Sequence, residues 1–286
     1  MRRPVILLTG ATGQLGFELA RLLPAHGDVI ALDRAALDLS DVDHLSGAVR
    51  RIKPQIIVNA AGYTAVDRAE REPAMAEAIN ARAPAILAEE AKRLDALLVH
   101  YSTDYVFDGG SGAPYGEAAP PNPLNVYGRT KLAGERAIAA AGVAHLILRT
   151  SWVYGLRGQN FLLTMQRLAA ERDELRIVAD QFGVPNWSRA LAQATATVLG
   201  RGVPALIRAS GIYHLSGRGR ASWFDFARAI FGDADRPRVV PISTAEYPAA
   251  ARRPASAVLA TAKFEQTFGF ALAEWRDMLA ACKASA

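Results

Sequence analysis

The stretch LLTGATGQLGFEL near the N-terminus constrains the fold more than any other part of the chain. It places Gly10, Gly13 and Gly16 in the spacing G-x-x-G-x-x-G, between a short apolar run and a segment with apolar residues at helical spacing. In a strand–loop–helix unit, such glycines let the backbone turn tightly and approach a pyrophosphate, whose charge the helix N-terminus favours. The sequence therefore predicts a dinucleotide-binding loop, the alternative being a tight turn without a ligand.

Predicted strands and helices alternate over the first half of the chain. Short apolar runs typical of buried strands cover residues 4–10, 28–33, 55–62, 96–107 and 144–155. The segments between them read as helices at residues 14–27, 41–54, 74–95 and 125–142, the second with Asp41 as its N-cap. Strands separated by helices predict an α/β fold, a Rossmann-type doubly wound parallel sheet with helices on both faces.

The rhythm becomes less regular after residue 150. Helices are predicted at 160–175, 190–202, 222–232 and 264–283, a strand at 211–217, and a segment punctuated by proline and arginine at 235–256. We therefore expect a dinucleotide-binding domain at 1–150. Residues 151–286 are expected to form mainly a smaller substrate-binding domain, which returns one or two elements to the sheet.

Composition excludes several classes of protein. Of 286 residues, 51% are apolar and 21% charged, which is typical of a globular protein, and no apolar run approaches the roughly 18 residues that would span a membrane. The net charge of +5 comes mostly from arginines scattered among acids, which favours anionic substrates over nucleic acid. The lone Cys282 cannot form an internal disulfide and fits a reducing compartment, so a cytoplasmic location is expected. The five histidines have no His-x-x-x-His spacing and Cys-x-x-Cys is absent, so no zinc site is expected.

The stretch NVYGRTKLAGE places Lys131 four residues after Tyr127, on one face of a predicted helix. A cation beside a phenol favours the phenolate and lowers the tyrosine pKa from its usual value of about 10. A tyrosine tuned in this way can deliver a proton near neutral pH. The alternative is a surface lysine on an ordinary helix.

An acid and a base stand together at the end of the second predicted strand. Asp33 lies roughly 20 residues after the glycine loop, where a ribose-binding acid is expected. Asp33 suits the ribose 2′-hydroxyl of NADH, whereas Arg34 could hold the 2′-phosphate of NADPH, so both cofactors remain open. Asp38 and Leu39 follow at the carboxyl edge of the sheet, where they are expected near the adenine or in a plain loop.

Taken together, several motifs resemble a known family. GATGQLG, VNAAGYTAVDRAE, STDYVFDG, NVYGRTKLAGE, RTSWVYG and DQFGVPN are similar to the dTDP-4-dehydrorhamnose reductases of the extended short-chain dehydrogenase/reductases, from about residue 5 to about 279. The resemblance implies reduction of the C4 ketone of dTDP-4-dehydro-L-rhamnose to dTDP-L-rhamnose with NADPH or NADH, the last step of dTDP-L-rhamnose biosynthesis. It also implies a dTDP-sugar as substrate and allows a homodimer.

The family resemblance implies roles for the matching residues. Tyr127 would protonate the C4 oxygen, Lys131 would bind the nicotinamide ribose and tune the tyrosine, and Thr103 would hydrogen-bond the carbonyl. Thr103 could equally be a turn-capping residue. The expected cofactor-binding residues are Gly10, Gly13, Gln14, Leu15, Gly16, Asp33, Arg34, Asp38, Leu39, Ala60, Ala61, Gly62, Tyr63, Thr64, Tyr127 and Lys131. Many family members carry alanine at the position of Gly62, a small change.

Substrate contacts are implied beyond the catalytic pair. Asp104 and Trp152 would contact the sugar nucleotide, although a tryptophan after a strand can also be core packing. Arg253 could hold a phosphate through its planar donors, and Asn186 stands where threonine is common. The family usually has Asn-Ser at the positions of Ser256 and Ala257, so the nucleotide contacts of this chain are expected to differ in detail.

Two other functions remain open, and magnesium is not expected to be required. The fold also suits another sugar-nucleotide oxidoreductase or epimerase, or a non-enzymatic NADP-binding regulatory subunit, although the intact Tyr–Lys pair argues against the latter. Some relatives are thought to bridge a dimer through magnesium held by glutamates. Here Glu18 matches one such position and Arg189 another, so we expect the arginine to repel the cation or to pair with Glu18, and magnesium not to be required.

Overall fold

The structure, a computed structural model, describes residues 3–232 and 237–286. The strands are β1 (Val5–Thr9), β2 (Asp28–Leu32), β3 (Ile56–Asn59), β4 (Leu97–Thr103), β5 (His145–Thr150), β6 (Val153–Tyr154), β7 (Glu174–Val178), β8 (Phe182–Gly183), β9 (Asn186–Trp187), β10 (Gly211–His214), β11 (Ala221–Ser222) and β12 (Arg238–Ile242). The helices are α1 (Gln14–Leu22), α2 (Val42–Ile52), α3 (Val66–Ala69), α4 (Pro73–Glu77), α5 (Ala83–Arg93), α6 (Val126–Ala141), α7 (Phe161–Glu171), α8 (Ser188–Leu199), α9 (Val203–Arg208), α10 (Trp223–Phe231), α11 (Ala262–Phe268) and α12 (Trp275–Ala284).

A six-stranded parallel sheet organises the fold. Its strand order is β2-β1-β3-β4-β5-β10, and every neighbouring pair is parallel. From β1 the chain goes to β2 on one side, and after β2 it crosses back to β3 on the other side of β1. The carboxyl ends of β1 and β3 therefore form a topological switch point, where Thr9 lies opposite Asn59. Open α/β sheets bind ligands in the crevice at such a point. The predicted Rossmann-type α/β fold is confirmed.

Both faces of the sheet are buried because its strands are apolar at consecutive positions. In β1, Ile6 and Leu8 pack in one core cluster while Leu7 packs in another. The same alternation recurs in β3, β4 and β5. Helices α2, α5 and α6 cover one face, while α1 and α8 cover the other with elements from later in the chain.

Most helices follow the predicted segments, but two of those segments are interrupted. The segment predicted as helical at 264–283 forms two helices, α11 and α12, separated by residues 269–274. Asp41 is the N-cap of α2, as predicted, and accepts a hydrogen bond from the backbone N–H of His44. The predicted helix at 74–95 is interrupted between α4 and α5 by a π-helical turn at Ala78–Arg82. π-Turns often occur at functional sites, and this one carries a buried Asn80.

The second half of the chain contributes to two parts of the molecule. Strand β10 extends the central sheet beside β5, whereas the pairs β7–β12, β6–β9 and β8–β11 form small separate sheets. Residues 235 and 236, at the start of the predicted proline- and arginine-rich segment, lie outside the described residues. The division of the chain at residue 150 stays a prediction.

A buried ion pair fixes α6 on the sheet. Arg149 on β5 donates to both carboxylate oxygens of Glu135 on α6, at 2.6 and 2.9 Å, and both side chains are 2% exposed. Removing one partner of such a pair leaves an uncompensated charge, at a cost of about 3–5 kcal/mol. The pair therefore holds in place the helix that carries Tyr127 and Lys131.

Candidate active site

The glycine loop joins β1 to α1 as a tight cradle. Gly10 has φ +71, and a Cβ there would lie 2.8 Å from the backbone nitrogen of Ala61. A Cβ on Gly16 would lie 2.0 Å from the carbonyl oxygen of Gly10, so neither position accommodates a side chain. Gly13 is the N-cap of α1, and no side chain of the described residues caps that helix. The loop therefore offers the bare backbone and helix N-terminus that favour an anion.

The loop after β2 holds its charged residues in local contacts. Asp33 is half-buried and accepts a hydrogen bond from the backbone N–H of Ala36 at 3.0 Å. The exposed Arg34 lies 3.3 Å from the carboxylate of Asp38. Hydrogen bonds from the backbone and hydroxyl of Ser40 are the main reason that the pKa of Asp38 is lowered. The side chain of Leu39 is buried in the core, so only its backbone can face a ligand.

The segment after β3 contacts the glycine loop. Ala60 and Ala61 approach Gly10 closely, and Asn80 of the π-turn accepts from the backbone N–H of Tyr63 at 2.8 Å. A Cβ on Gly62 would lie 3.4 Å from the oxygen of Asn80, an ordinary contact, so the alanine common in relatives fits here. Asn80 thus supports the predicted cofactor segment, a role that its helical context in the sequence did not reveal.

Thr103 and Asp104 lie at the carboxyl end of β4. The Thr103 hydroxyl accepts from the backbone N–H of Tyr105 and so caps the following turn, while it donates to Asp104 at 3.0 Å. Capping, the alternative considered for Thr103, is therefore present. Burial raises the pKa of Asp104 to about 7, and its Oδ2 has no hydrogen-bond partner among the described residues.

The predicted pair Tyr127 and Lys131 lies in the first turns of α6, which Asn125 caps. Burial raises the pKa of Tyr127 to about 12, although its side-chain contact with Thr103 acts in the opposite direction. Lys131 Nζ donates to the carbonyl of Tyr101 at 2.5 Å and lies 3.2 Å from His100 Nε2. The expectation that the lysine lowers the tyrosine pKa is therefore wrong for the free chain, because burial of the phenol outweighs the other effects.

The crevice fits a dinucleotide. The glycine cradle lies at the switch point, and the helix carrying Tyr127 and Lys131 follows two strands later. The hydroxyls of Ser102 and Thr150, at the carboxyl ends of β4 and β5, are buried without a partner among the described residues. Buried polar atoms of this kind are usually satisfied by a ligand or water.

A separate cavity of about 610 Å³ opens between α7, β7 and α10. Its apolar lining includes Phe161, Met165 and Trp223, and its polar lining includes Arg176 and Gln181. Arg253, predicted as a phosphate-binding residue, also lines it. An apolar cavity with a few polar groups is typical of a small-molecule site. Apart from Arg253, none of these lining residues was predicted to bind a ligand, and only Gln181 lies in a motif, DQFGVPN, on which the family resemblance rests.

Two predicted substrate residues border this cavity. The ring of Trp152 stacks on that of Trp223, with centroids 3.5 Å apart and planes 5° from parallel. Trp152 has φ +43, a backbone conformation that costs energy in a residue with a side chain and is concentrated at functional sites. Arg253 pairs with Asp67, with an Nη2–Oδ2 distance of 2.6 Å.

The surroundings of Asn186 contradict its predicted role as a substrate-binding residue. It is completely buried, and its amide nitrogen donates to the carbonyls of Ser151 and Val184. Its oxygen accepts from the backbone N–H of Gly217 at 2.6 Å. The side chain therefore cross-links three segments and cannot reach a ligand, so the prediction of a substrate contact is wrong.

Glu18 and Arg189 form an ion pair between α1 and α8. Arg189 lies 3.0 Å from the carboxylate of Glu18. Across residues 3–232 and 237–286, no group of three or more His, Cys, Asp and Glu side chains is placed to hold a metal ion. In the same part of the chain, no helix is long and apolar enough to cross a membrane.

Comparison with known proteins identifies relatives along the whole chain. The family model described as the RmlD substrate binding domain matches residues 3–286. A dTDP-4-dehydrorhamnose reductase of Burkholderia thailandensis is 47% identical over 97% of both chains, and one of Escherichia coli K12 is 44% identical over 95% of this chain and 94% of the other. The chain belongs to the dTDP-4-dehydrorhamnose reductase family. The resemblance found in the sequence is thus confirmed.

The structure agrees with a solved member of the dTDP-4-dehydrorhamnose reductase family. The enzyme from Bacillus anthracis, solved in complex with NADP, is 36% identical and superposes with a TM-score of 0.93 over 100% of both chains. This agreement extends over both halves of the chain.

Proposed function

We propose that this chain reduces the C4 ketone of dTDP-4-dehydro-L-rhamnose to dTDP-L-rhamnose with NADPH or NADH. The observation that carries the proposal is the contact of Tyr127 with Thr103 at the carboxyl end of β4, together with the hydrogen bond from Lys131 Nζ to the carbonyl of Tyr101 on the same strand. Membership of the reductase family supports the identity of the sugar nucleotide.

The residues that would hold the cofactor lie along the switch point. The loop from Gly10 to Gly16 would hold the pyrophosphate, and the loop of Asp33 and Arg34 would hold the adenosine ribose. The segment Ala60–Thr64 and Lys131 would hold the nicotinamide half. When bound, the reduced nicotinamide supplies the hydride for C4.

The chain's own residues supply the proton and position the ketone. The Tyr127 hydroxyl gives its proton to the C4 oxygen as C4 gains the hydride, so the carbonyl becomes an alcohol and the tyrosine is left as a phenolate. The Thr103 hydroxyl donates a hydrogen bond to the same oxygen and holds it near the phenol. The phenolate then regains its proton from solvent.

Burial keeps Tyr127 protonated but also makes it a weaker acid. A phenol with a pKa of about 12 stays protonated at neutral pH, so Tyr127 is ready to donate. A phenol with so high a pKa is a weak acid, so the phenolate has to be stabilised as it forms, and a charged Lys131 would do this.

The cavity beside α7 would take the nucleotide part of the substrate. Its aromatic wall of Phe161 and Trp223 suits a base, and Arg176 and Arg253 suit the diphosphate. The stack of Trp152 on Trp223 lies between β6 and α10, so we infer that Trp152 borders the sugar.

The proposal includes a cytoplasmic location, supported by a single buried cysteine that forms no disulfide among the described residues. It also allows a homodimer that forms without magnesium, since Glu18 is already paired with Arg189. Fractionation and sedimentation with and without magnesium would test these two points.

The direct test is a coupled assay. Purified protein is given dTDP-4-dehydro-L-rhamnose, also called dTDP-6-deoxy-L-lyxo-4-hexulose, with NADPH or NADH. The absorbance of the reduced nicotinamide is followed, and the product is identified by NMR. The proposal predicts oxidation of one cofactor per dTDP-L-rhamnose formed. A product altered only in configuration, with no net cofactor oxidation, would instead identify an epimerase and contradict the proposal.

A further inference from the structure

A buried histidine lies beside the lysine of the candidate site. His100, in the middle of β4, is 1% exposed and lies between Asn59 of β3 and Lys131 of α6. The reaction described above makes no use of it. Its contacts nevertheless determine which of its nitrogens carries a proton.

The orientation of the Asn59 amide is set by a backbone N–H. The N–H of Ala61 donates to Asn59 Oδ1 at 3.2 Å, and the Thr9 hydroxyl donates to the same oxygen at 2.7 Å. A backbone N–H can only donate, so the atom facing Ala61 has to be the amide oxygen. Asn59 Nδ2 therefore faces His100 Nδ1, 3.0 Å away.

This contact selects one tautomer of His100. The amide nitrogen of Asn59 can only donate, so Nδ1 of the ring has to be an acceptor without a proton. The neutral ring then carries its proton on Nε2. Burial lowers the pKa of His100 well below its usual value, and the charge of Lys131 acts in the same direction, so the ring stays neutral.

The protonated nitrogen of the ring points at Lys131. The Nε2–Nζ distance is 3.2 Å. An ammonium group offers three donors and no acceptor, so an Nε2–H finds a lone pair on Nζ only when the amine is neutral. The bond from Nζ to the carbonyl of Tyr101 is compatible with either charge state.

We propose that His100 is a positioning residue that presents Nε2–H to Lys131 and thereby favours the neutral amine in the free protein. The inference rests on the proposed function, since Lys131 is the residue expected to hold the nicotinamide ribose. Hydroxyl oxygens can accept from an ammonium group, which His100 cannot. At a pH at which free Lys131 is neutral, cofactor binding is therefore accompanied by uptake of a proton at Lys131, so that the lysine is charged when the phenolate of Tyr127 has to be stabilised.

The other titratable and charged groups around Lys131 do not prevent the coupling of cofactor binding to proton uptake at Lys131. Burial lowers the pKa of Lys131 to about 8, and Glu135 on the same helix opposes the shift. Glu135 is itself bound to Arg149 of β5. Tyr127, one turn earlier on α6, has a pKa of about 12 and stays protonated over the range in which Lys131 titrates.

The tautomer is tested by NMR of protein labelled with ¹⁵N-histidine. The chain has five histidines, and the signals absent from His100→Gln or His100→Asn identify His100. The inference predicts a neutral ring protonated on Nε2, with no titration down to about pH 5, in the range where an ordinary histidine becomes charged. A ring protonated on Nδ1 would overturn it, because Nε2 would then accept from a charged lysine.

The coupling is tested by calorimetry of NADPH binding in buffers of different ionisation enthalpy. At about pH 9, above the second pKa of about 6 of a phosphate monoester, the cofactor itself takes up no proton. The native protein is predicted to take up close to one proton. His100→Gln is predicted to take up less than half as much, because its side-chain oxygen accepts from the ammonium of free Lys131.

A matched variant controls for the loss of a histidine. His145→Gln, at the start of β5, removes a ring that contacts the carbonyl of Val143, and its proton uptake should equal that of the native protein. No uptake by the native protein, or equal uptake by His100→Gln, would overturn the inference. Absence of binding of both NADPH and NADH in every protein would overturn the proposed function instead, and the tautomer measured by NMR would still decide the role of His100.

Discussion

The guanidinium of Arg189 lies against the carboxylate of Glu18, with N–O distances of 3.0 and 3.4 Å. The two residues join α8 to α1 on one face of the sheet, and the Glu18 side chain is largely buried. The carboxylate of Glu18 is a hard oxygen ligand of the kind that magnesium binds. Magnesium prefers several hard oxygen ligands, and a cation would have to displace an arginine to reach this one.

We predict that turnover and oligomeric state are the same with EDTA and with magnesium. Activity assays and sedimentation in the two conditions measure both. Arg189→Glu is the informative variant, because it places two carboxylates side by side and should make stability respond to magnesium. Loss of turnover in EDTA, restored by magnesium alone, would count decisively against the prediction for the native protein.

Cofactor preference should depend on the two residues after β2. Asp33→Ala is expected to weaken the binding of NADH more than that of NADPH, because only NADH has the 2′-hydroxyl that donates a hydrogen bond to a carboxylate. Arg34→Ala should do the reverse, since Arg34 leaves the exposed Asp38 at little cost to reach a 2′-phosphate.

Dissociation constants of both cofactors for the two variants measure this effect. Arg167→Ala is a suitable control, because Arg167 forms a comparable exposed pair with Glu171 on α7, outside the cofactor loop. Equal shifts for NADH and NADPH in both variants would show that the loop does not bind the adenosine ribose.

The buried Asp104 should make stability depend on pH. Its pKa is raised from 3.8 to about 7, so the folded state retains a proton that the unfolded chain releases. The free energy of unfolding should therefore fall as the pH rises from about 4 to about 7 and should level off above that. Asp104→Asn should remove this part of the slope.

Denaturant unfolding at about pH 5 and about pH 7.5 measures the slope. Asp108→Asn is the matched control, because hydrogen bonds, chiefly from the backbone of Gly110, lower the pKa of Asp108 to about 2. Its contribution to stability is lost only as the pH falls below about 4, so this variant should keep the native slope between the two pH values. An unchanged slope in Asp104→Asn would refute the assignment to Asp104.

The tryptophan stack should contribute to substrate binding. A Cβ on Gly183 would lie 2.6 Å from the ring of Trp152, so Gly183→Ala should displace that ring from Trp223. An aromatic pair is worth about 0.5–1.5 kcal/mol, which corresponds to a rise in KM for the sugar nucleotide of roughly 2- to 10-fold.

Steady-state kinetics of Gly183→Ala measure the change, and the dissociation constant of NADPH should stay the same. Gly112→Ala provides the control, since a Cβ there would meet no atom within 4 Å. A KM for Gly183→Ala equal to that of the control would show that the stack of Trp152 on Trp223 does not contribute to substrate binding.

Local sequence rules predicted the parts of the molecule that depend on nearby residues. The turn at Gly10 and the cap at Asp41 follow from the backbone needs of one loop and one helix end, and both were predictable. The placement of Tyr127 and Lys131 on one helix follows from its capping residue and periodicity. These features need no knowledge of the residues that pack on them.

Contacts between distant segments were not predictable in the same way. Asn186 looked like a ligand-binding residue, because nothing in its local sequence shows that Ser151 and Gly217 satisfy its amide. The pKa of Tyr127 is raised by burial, which is a property of the assembled site and not of the local sequence. His100 reads as one polar residue in an apolar strand until Asn59 and Lys131 are brought against it.

The central claim is that Tyr127 donates the proton to the ketone, and the turnover of Tyr127→Phe tests it most directly. The measurement compares kcat for dTDP-6-deoxy-L-lyxo-4-hexulose and NADPH in the variant and the native protein, with the dissociation constant of NADPH determined in parallel. The account predicts that kcat falls by roughly 10²–10⁴, the usual contribution of general acid–base catalysis, while NADPH binding changes little. Near-normal turnover in Tyr127→Phe would contradict the account.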